Sequence, residues 1–188
     1  MNLAPAFPWR TERVELFLLE PGHVTDEYVA WLQDPEVNRF LESRFASHNI
    51  ASTIAFVAKM RTDANTLMLG IRSIELNRHV GNIKLGPIAR DHGLGEIGLM
   101  IGDRSAWRRG IASDAIAVLC EIAARQLGLR KLTAGCYASN VGSARAFEKA
   151  GFQVEAIRKD HFLLDGRTED LLLMARHCNG HELTKDRA

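Results

Sequence analysis

Long apolar runs are missing from this chain. No stretch reaches the ~18 residues expected of a membrane-spanning helix. Cysteine is scarce: Cys120, Cys136 and Cys178 are three in number and widely spaced, which excludes a disulfide framework. Charge of one sign is not in excess. Lys and Arg number 24 against 23 Asp and Glu, so nothing in the overall electrostatics points to nucleic acid or an anionic membrane as a partner. Met1 to Arg10 holds two prolines and no apolar core segment, so it does not read as a signal peptide, and a cytoplasmic location is expected. A P-loop is absent because no Gly-Lys-Ser/Thr ending occurs. The three-glycine dinucleotide fingerprint is absent as well.

What is present suits one domain of ordinary size. The 188 residues are 46% apolar, enough for a packed core. We read residues 1–10 as an N-terminal extension, 11–178 as the domain and 179–188 as a polar tail. Residues 13–19 read as a first strand, closed by Pro21-Gly22. Thr25 is placed to cap a helix carrying Tyr28, Val29, Trp31 and Leu32, which stops at Asp34-Pro35. Residues 36–48 are polar and irregular, and a second helix is expected over 50–61 with Ile54, Phe56, Val57 and Met60 on its apolar side.

The hydrophobic period then becomes two. Strands are expected at 66–75, 80–88 and 95–102, with a turn at Asn77-Arg78-His79. A helical stripe covers 111–127 and stops at Gly128. A strand at 131–138, a helix at 140–150 and two strands at 152–164 and 168–176, joined at Asp165-Gly166, complete the order. This is an α/β fold with a mixed sheet and helices packed on it.

The most informative segment runs from Met100 to Ala115. A half-buried strand enters a turn, Trp107-Arg108-Arg109-Gly110-Ile111-Ala112-Ser113, and a long helix begins. A helix start offers unpaired N–H groups and the positive end of a dipole, which suits phosphate. Gly110 lets the backbone approach a ligand, Ala112 keeps the next turn narrow, and Arg108 and Arg109 add charge. An ordinary helix start with two solvated arginines would look the same in this segment alone.

Two motifs resemble those of the GNAT superfamily of N-acetyltransferases. The family's acetyl-CoA motif is Gln/Arg-x-x-Gly-x-Gly/Ala, matched here at Gly110 and Ala112, with Trp107 departing from its first position. Asn140 to Phe152 resembles the second motif, Asn-x-x-Ser-x-x-x-Tyr/Phe-Glu-Lys-x-Gly-Phe. The resemblance covers roughly residues 10–177, nearest the branch of ribosomal-protein N-terminal and nucleotide-amino-sugar acetyltransferases. It implies a mostly antiparallel sheet of about seven strands flanked by about four helices, with acetyl-CoA as acetyl donor. The pyrophosphate would lie at Arg108–Ser113, Ile111 included. Backbone groups of Met100 and Ile101, on a strand splayed from its neighbour, would bond the cofactor arm.

Amide formation from a thioester needs a neutral amine, a stabilised oxyanion and a protonated leaving thiol. In the family's histone-acetylating branch a strand glutamate is the general base, eleven residues before the first motif position, and that position here is Glu96. Period two sets Glu96, Gly98 and Met100 on one face, with Gly98 leaving room for an acceptor. Phe147 stands where many members carry a proton-donating tyrosine. The resemblance offers Ser143 instead, although a helix-start serine reads equally well there. Asn140 is both a good helix cap and the match to the family's cofactor-contacting asparagine.

For the acceptor, a nucleotide-linked amino sugar and a protein N-terminus compete, and a non-catalytic acyl-CoA binder stays open because of Phe147. Arg39, Glu42 and Arg44 lie in the link that walls the acceptor site in the family, or form a solvated loop. Asp160 and His161 are candidates for a local base. Cys136 reads as packing, and His177, Cys178 and His181 as a solvated polar tail, so no metal is expected. Assembly stays open between a monomer and a homodimer.

Overall fold

The computed structural model describes residues 9–178. The tail at 179–188, His181 with it, and residues 1–8 of the extension lie outside the described residues. Trp9 packs against the main core and its carbonyl accepts from the Leu16 N–H.

Seven strands form one sheet: β1 (Val14–Leu18), β2 (Leu67–Ser73), β3 (Arg78–Ala89), β4 (Leu94–Ile101), β5 (Lys131–Tyr137), β6 (Gln153–Leu164) and β7 (Arg167–His177), in the order β1-β2-β3-β4-β5-β7-β6. Every neighbouring pair is antiparallel except β4 with β5. Among the described residues there are five α-helices: α1 (Asp26–Gln33), α2 (Pro35–Asn38), α3 (Ile50–Thr62), α4 (Ile111–Arg125) and α5 (Val141–Lys149). Among the described residues, no helix is long and apolar enough to cross a membrane.

The alternation of β4 and β5 sends Ile97, Leu132, Ala134 and Cys136 into the main core with α4 and α5. A smaller cluster of Leu19, Tyr28, Trp31 and Val57 fills the opposite face beneath α1 and α3, and Met100 packs against it. The sheet is therefore sandwiched between two helical layers, and β4 contributes to both.

Three local expectations differ. The link after Asp34 is not wholly irregular: the Asp34 side chain accepts from the Glu36 N–H and Pro35 occupies the first turn, which together start α2. The α3 stripe is narrower than expected. Thr53 and Val57 are buried, whereas Ile54 and Phe56 flank them in solvent. The β2–β3 turn falls at 74–77, with Asn77 at φ 49°, and Arg78 and His79 already belong to β3. His79 is held there by ring contacts to Phe17, Tyr28 and Trp31.

Candidate active site

The site is organised by a gap in the sheet. The parallel ladder between β4 and β5 has three pairs, Leu94 with Lys131, Gly95 with Leu132 and Glu96 with Thr133. Beyond Glu96, β4 follows β3 as far as the Gly81–Ile101 pair and leaves β5. The expected splay is thus present. The Gly102 N–H donates to the Val80 carbonyl. Because antiparallel ladder bonds alternate, Gly98 and Met100 turn their backbone groups to β3, and Leu99 and Ile101 turn theirs into the wedge. This corrects one expectation. Leu99, not Met100, presents backbone groups beside those of Ile101, because the period of two commits Met100 to β3.

Beyond the end of β4 sits the turn expected to meet the pyrophosphate. Gly110 is the N-cap of α4 at φ 79°, with no side-chain cap, so the first-turn N–H groups of Ile111, Ala112 and Ser113 have no partner among the described residues. The Ile111 side chain is buried, which leaves its backbone for a ligand. Asp114, the acid of that first turn, is neutralised by a two-point pair with Arg13 at 2.9 Å and by the Thr11 hydroxyl at 2.8 Å. The two arginines separate in role. Arg109 bonds Glu75 at 2.6 Å and the Ser105 carbonyl at 2.8 Å. Arg108, at φ 62°, has no side-chain partner among the described residues. Trp107 donates from Nε1 to the Ile101 carbonyl at 2.8 Å.

The start of α5 flanks the same wedge. The Asn140 side chain caps the helix by accepting from the Ser143 N–H at 3.2 Å. The Ser143 hydroxyl is half-buried and has no hydrogen-bond partner among the described residues. Phe147 is a core residue, edge-on to Phe152 with ring centroids 5.0 Å apart, and has no proton to give.

On the other face of the sheet lies a cleft of about 480 Å³ whose lining includes Glu96 and Glu42. Glu96 is exposed and has no hydrogen-bond or ion-pair partner among the described residues. A Cβ on Gly98 would meet nothing within 4 Å, so space is open beside that carboxylate. Opposite stands Tyr137, which donates to Glu42 and accepts from Arg44 at 2.9 Å. Burial, and then the bond to Glu42, push its hydroxyl above the ordinary tyrosine range. Phe162 stacks on Tyr137 with centroids 4.2 Å apart, and Phe40 closes the same wall.

Sequence reasoning missed Tyr137, Phe40, Phe162 and Arg158. Alternation along β5 already puts Tyr137 on the face of Thr133. That Glu42 and Arg44 would reach it across 95 and 93 residues left no local trace.

The remaining candidates divide. Arg39 bonds Asp165 in the β6–β7 turn at 2.7 Å, and Arg44 donates to the Leu163 carbonyl, so the link is pinned to the hairpin and is not a solvated loop. Asp160 and His161 do not line the cleft. They fall in an irregularity of β6 between Arg158 and Phe162, where Asp160 takes φ 49° and its N–H donates to Asp170. Cys136 is buried, its thiol pushed up mainly by that burial. His177 ends β7 opposite Lys131.

Residues 13–153 match the acetyltransferase (GNAT) domain family. The chain belongs to that family. Its relatives carry the activity in their names. It is 27% identical over 143 residues to the uncharacterized N-acetyltransferase YoaA of Bacillus subtilis, covering 75% of this chain and 80% of the relative. It is 26% identical over 169 residues to the uncharacterized N-acetyltransferase p20 of Bacillus licheniformis, covering 88% and 93%. In fold it is similar to a spermidine N-acetyltransferase of Vibrio cholerae solved with CoA and spermine, at TM-score 0.78 and 17% identity over 89% of this chain and 96% of that one. It is also similar to the microcin C7 self-immunity acetyltransferase MccE solved with acetyl-CoA and AMP, at TM-score 0.75 and 18% identity over 89% and 93%.

This GNAT protein is an N-acetyltransferase whose acetyl donor is acetyl-CoA. Its own geometry fits that donor. Open helix-start N–H groups and an unpaired arginine suit a pyrophosphate, and unpaired strand groups in the wedge suit an amide-bearing arm.

Proposed function

We propose that this acetyltransferase acts on the primary amine of a small acceptor held in the cleft beside Glu96, by direct attack with donor and acceptor bound together. The observation that carries this reading is the position of Glu96. It ends the β4–β5 ladder where the wedge opens, it lines the cleft, and its carboxylate is uncommitted. Glu96 takes the proton of the ammonium, directly or through one water. The freed lone pair forms the C–N bond as the C–S bond breaks, and the nitrogen's second proton passes to the departing sulfur, relayed by the Ser143 hydroxyl or a water. N–H groups at Leu99 and Ile101 face the developing oxyanion, and the Ser143 hydroxyl donates to the departing sulfur.

The acceptor we favour is a nucleotide-linked amino sugar. Among the cleft's carboxylates, Glu42 is committed to Tyr137 and Arg44, and Glu155 to Lys131. Only Glu96 is free for a cation, which suits a single amine better than a polyamine such as spermine. The stacked Tyr137 and Phe162 offer a wall for a flat ring. Arg158 also lines the cleft and has no ion-pair partner among the described residues, so it can meet a phosphate. The cytoplasm, with its acetyl-CoA, is the location this chemistry suits. Two copies would pair along β6, the sheet edge that leaves Val154 and Ile157 exposed.

Thiol release from acetyl-CoA, measured against nucleotide-linked amino sugars, free amino sugars, polyamines and N-terminal peptides, tests the acceptor. Turnover is expected with the nucleotide-linked sugars. Turnover confined to peptides would replace that acceptor with a protein N-terminus, and turnover confined to polyamines would overturn the charge argument.

A further inference from the structure

We propose that Trp107 is a positioning residue for the arm of the cofactor: its indole N–H fixes the last peptide of β4 so that the wedge stays open and presents the strand correctly. The proposal rests on the reading that the arm lies in that wedge. A strand that leaves its neighbour exposes backbone groups that must find other partners. The Ile101 carbonyl is one such group. It is turned to the β5 side, and β5 pairs with β4 no further than Glu96.

Trp107 supplies the missing donor at 2.8 Å. The N–H of the same peptide unit, that of Gly102, donates to the Val80 carbonyl at 2.9 Å. The peptide plane is therefore held at both ends. The groups left for a ligand are the Ile101 N–H and the backbone of Leu99.

The position of Trp107 in the chain strengthens the case. It stands directly before Arg108 and three residues before Gly110, the N-cap of the phosphate-binding helix. The same side chain thus ties the turn expected to hold the pyrophosphate to the strand expected to hold the arm, and sets the spacing between them. Phenylalanine would keep most of the ring packing and lose only the donor.

Binding of two ligands to Trp107→Phe distinguishes this role from a general one. The first is acetyl-CoA. The second is adenosine 3′-phosphate 5′-diphosphate, the part of CoA without the arm. Acetyl-CoA is expected to bind about three- to tenfold more weakly, the effect of one lost hydrogen bond, with binding of the nucleotide unchanged. Exchange of the Gly102 amide should quicken while that of the α4 amides stays as in the parent protein, which also confirms that the variant is folded. Equal weakening of both ligands, or unchanged acetyl-CoA binding, would overturn the proposal. If the parent protein binds the two ligands equally tightly, the arm gains nothing from the wedge, and the reading of the wedge fails together with the proposal.

Discussion

Glu96 and Thr133 form the last pair of the parallel ladder between β4 and β5, and the two strands part directly beyond them. The pair marks the point where the paired sheet gives way to the wedge and cleft of the proposed site. On one side of it, Glu96 opens to a cleft walled by Tyr137 and Phe162. Along the wedge, the Leu99 backbone and the Ile101 N–H lead to the start of α4. A carboxylate placed there can reach an amine arriving from the cleft while the donor lies in the wedge.

The turn before α4 is tested at Gly110. Valine at φ 79° is sterically disfavoured, at a cost of about 1–3 kcal/mol, and relieving that strain displaces the helix start. Gly110→Val should weaken acetyl-CoA binding by at least about tenfold in calorimetric titration, in protein shown to be folded by circular dichroism. Arg108→Ala should weaken it by about threefold, and the difference should shrink as salt is raised. Full affinity in a folded Gly110 variant would remove the turn from the cofactor site.

Replacing Glu96 with glutamine removes the proposed base and no group proposed to bind the donor. Turnover at neutral pH should fall by about 10²- to 10⁴-fold with acetyl-CoA affinity nearly unchanged. Activity should recover partly as pH rises toward ~10, where more of the acceptor amine is already neutral. A variant with undiminished turnover would place the base elsewhere.

Ser143→Ala separates chemistry from helix stability. The cap at Asn140 uses the backbone N–H of residue 143, which alanine retains, so unfolding free energy should shift by no more than about 0.5 kcal/mol. Turnover should fall by roughly one to two orders of magnitude, the loss of one donor to a developing charge. An active Ser143→Ala enzyme would make solvent the proton source for the thiolate.

Tyr28 predicts the alkaline limit of stability. Burial in the smaller core pushes its hydroxyl up to about 12 from the ordinary 10.0. The folded state therefore favours the protonated phenol, and this contribution is fully present below pH ~10. Above that, the unfolded chain ionises first, and about 2–3 kcal/mol is lost by pH ~12. Tyr28→Phe should flatten this part of the profile when unfolding by denaturant is compared at pH 8 and 11.5. Equal slopes in the two proteins would show that other groups set the alkaline limit.

The chain's local chemistry decided much of this protein without tertiary help. Period two and period 3.6 placed all seven strands and the four longer helices within a few residues, because each element packs on one face and its apolar residues must recur with its own repeat. Thr25 and Asn140 marked helix starts through the geometry of capping. What only the folded chain decided is where distant groups meet. Arg109 and Arg108 are neighbours of the same type, yet Glu75, 34 residues away, commits the first and leaves the second free. Asp160 and His161 read as strand residues near an acceptor, but they fall in the irregularity of β6 and are not among the residues that line the cleft. Glu42, Arg44 and Tyr137 form the cleft's polar wall across more than 90 residues. Such contacts depend on how packed elements approach one another, which no periodicity within a single element encodes.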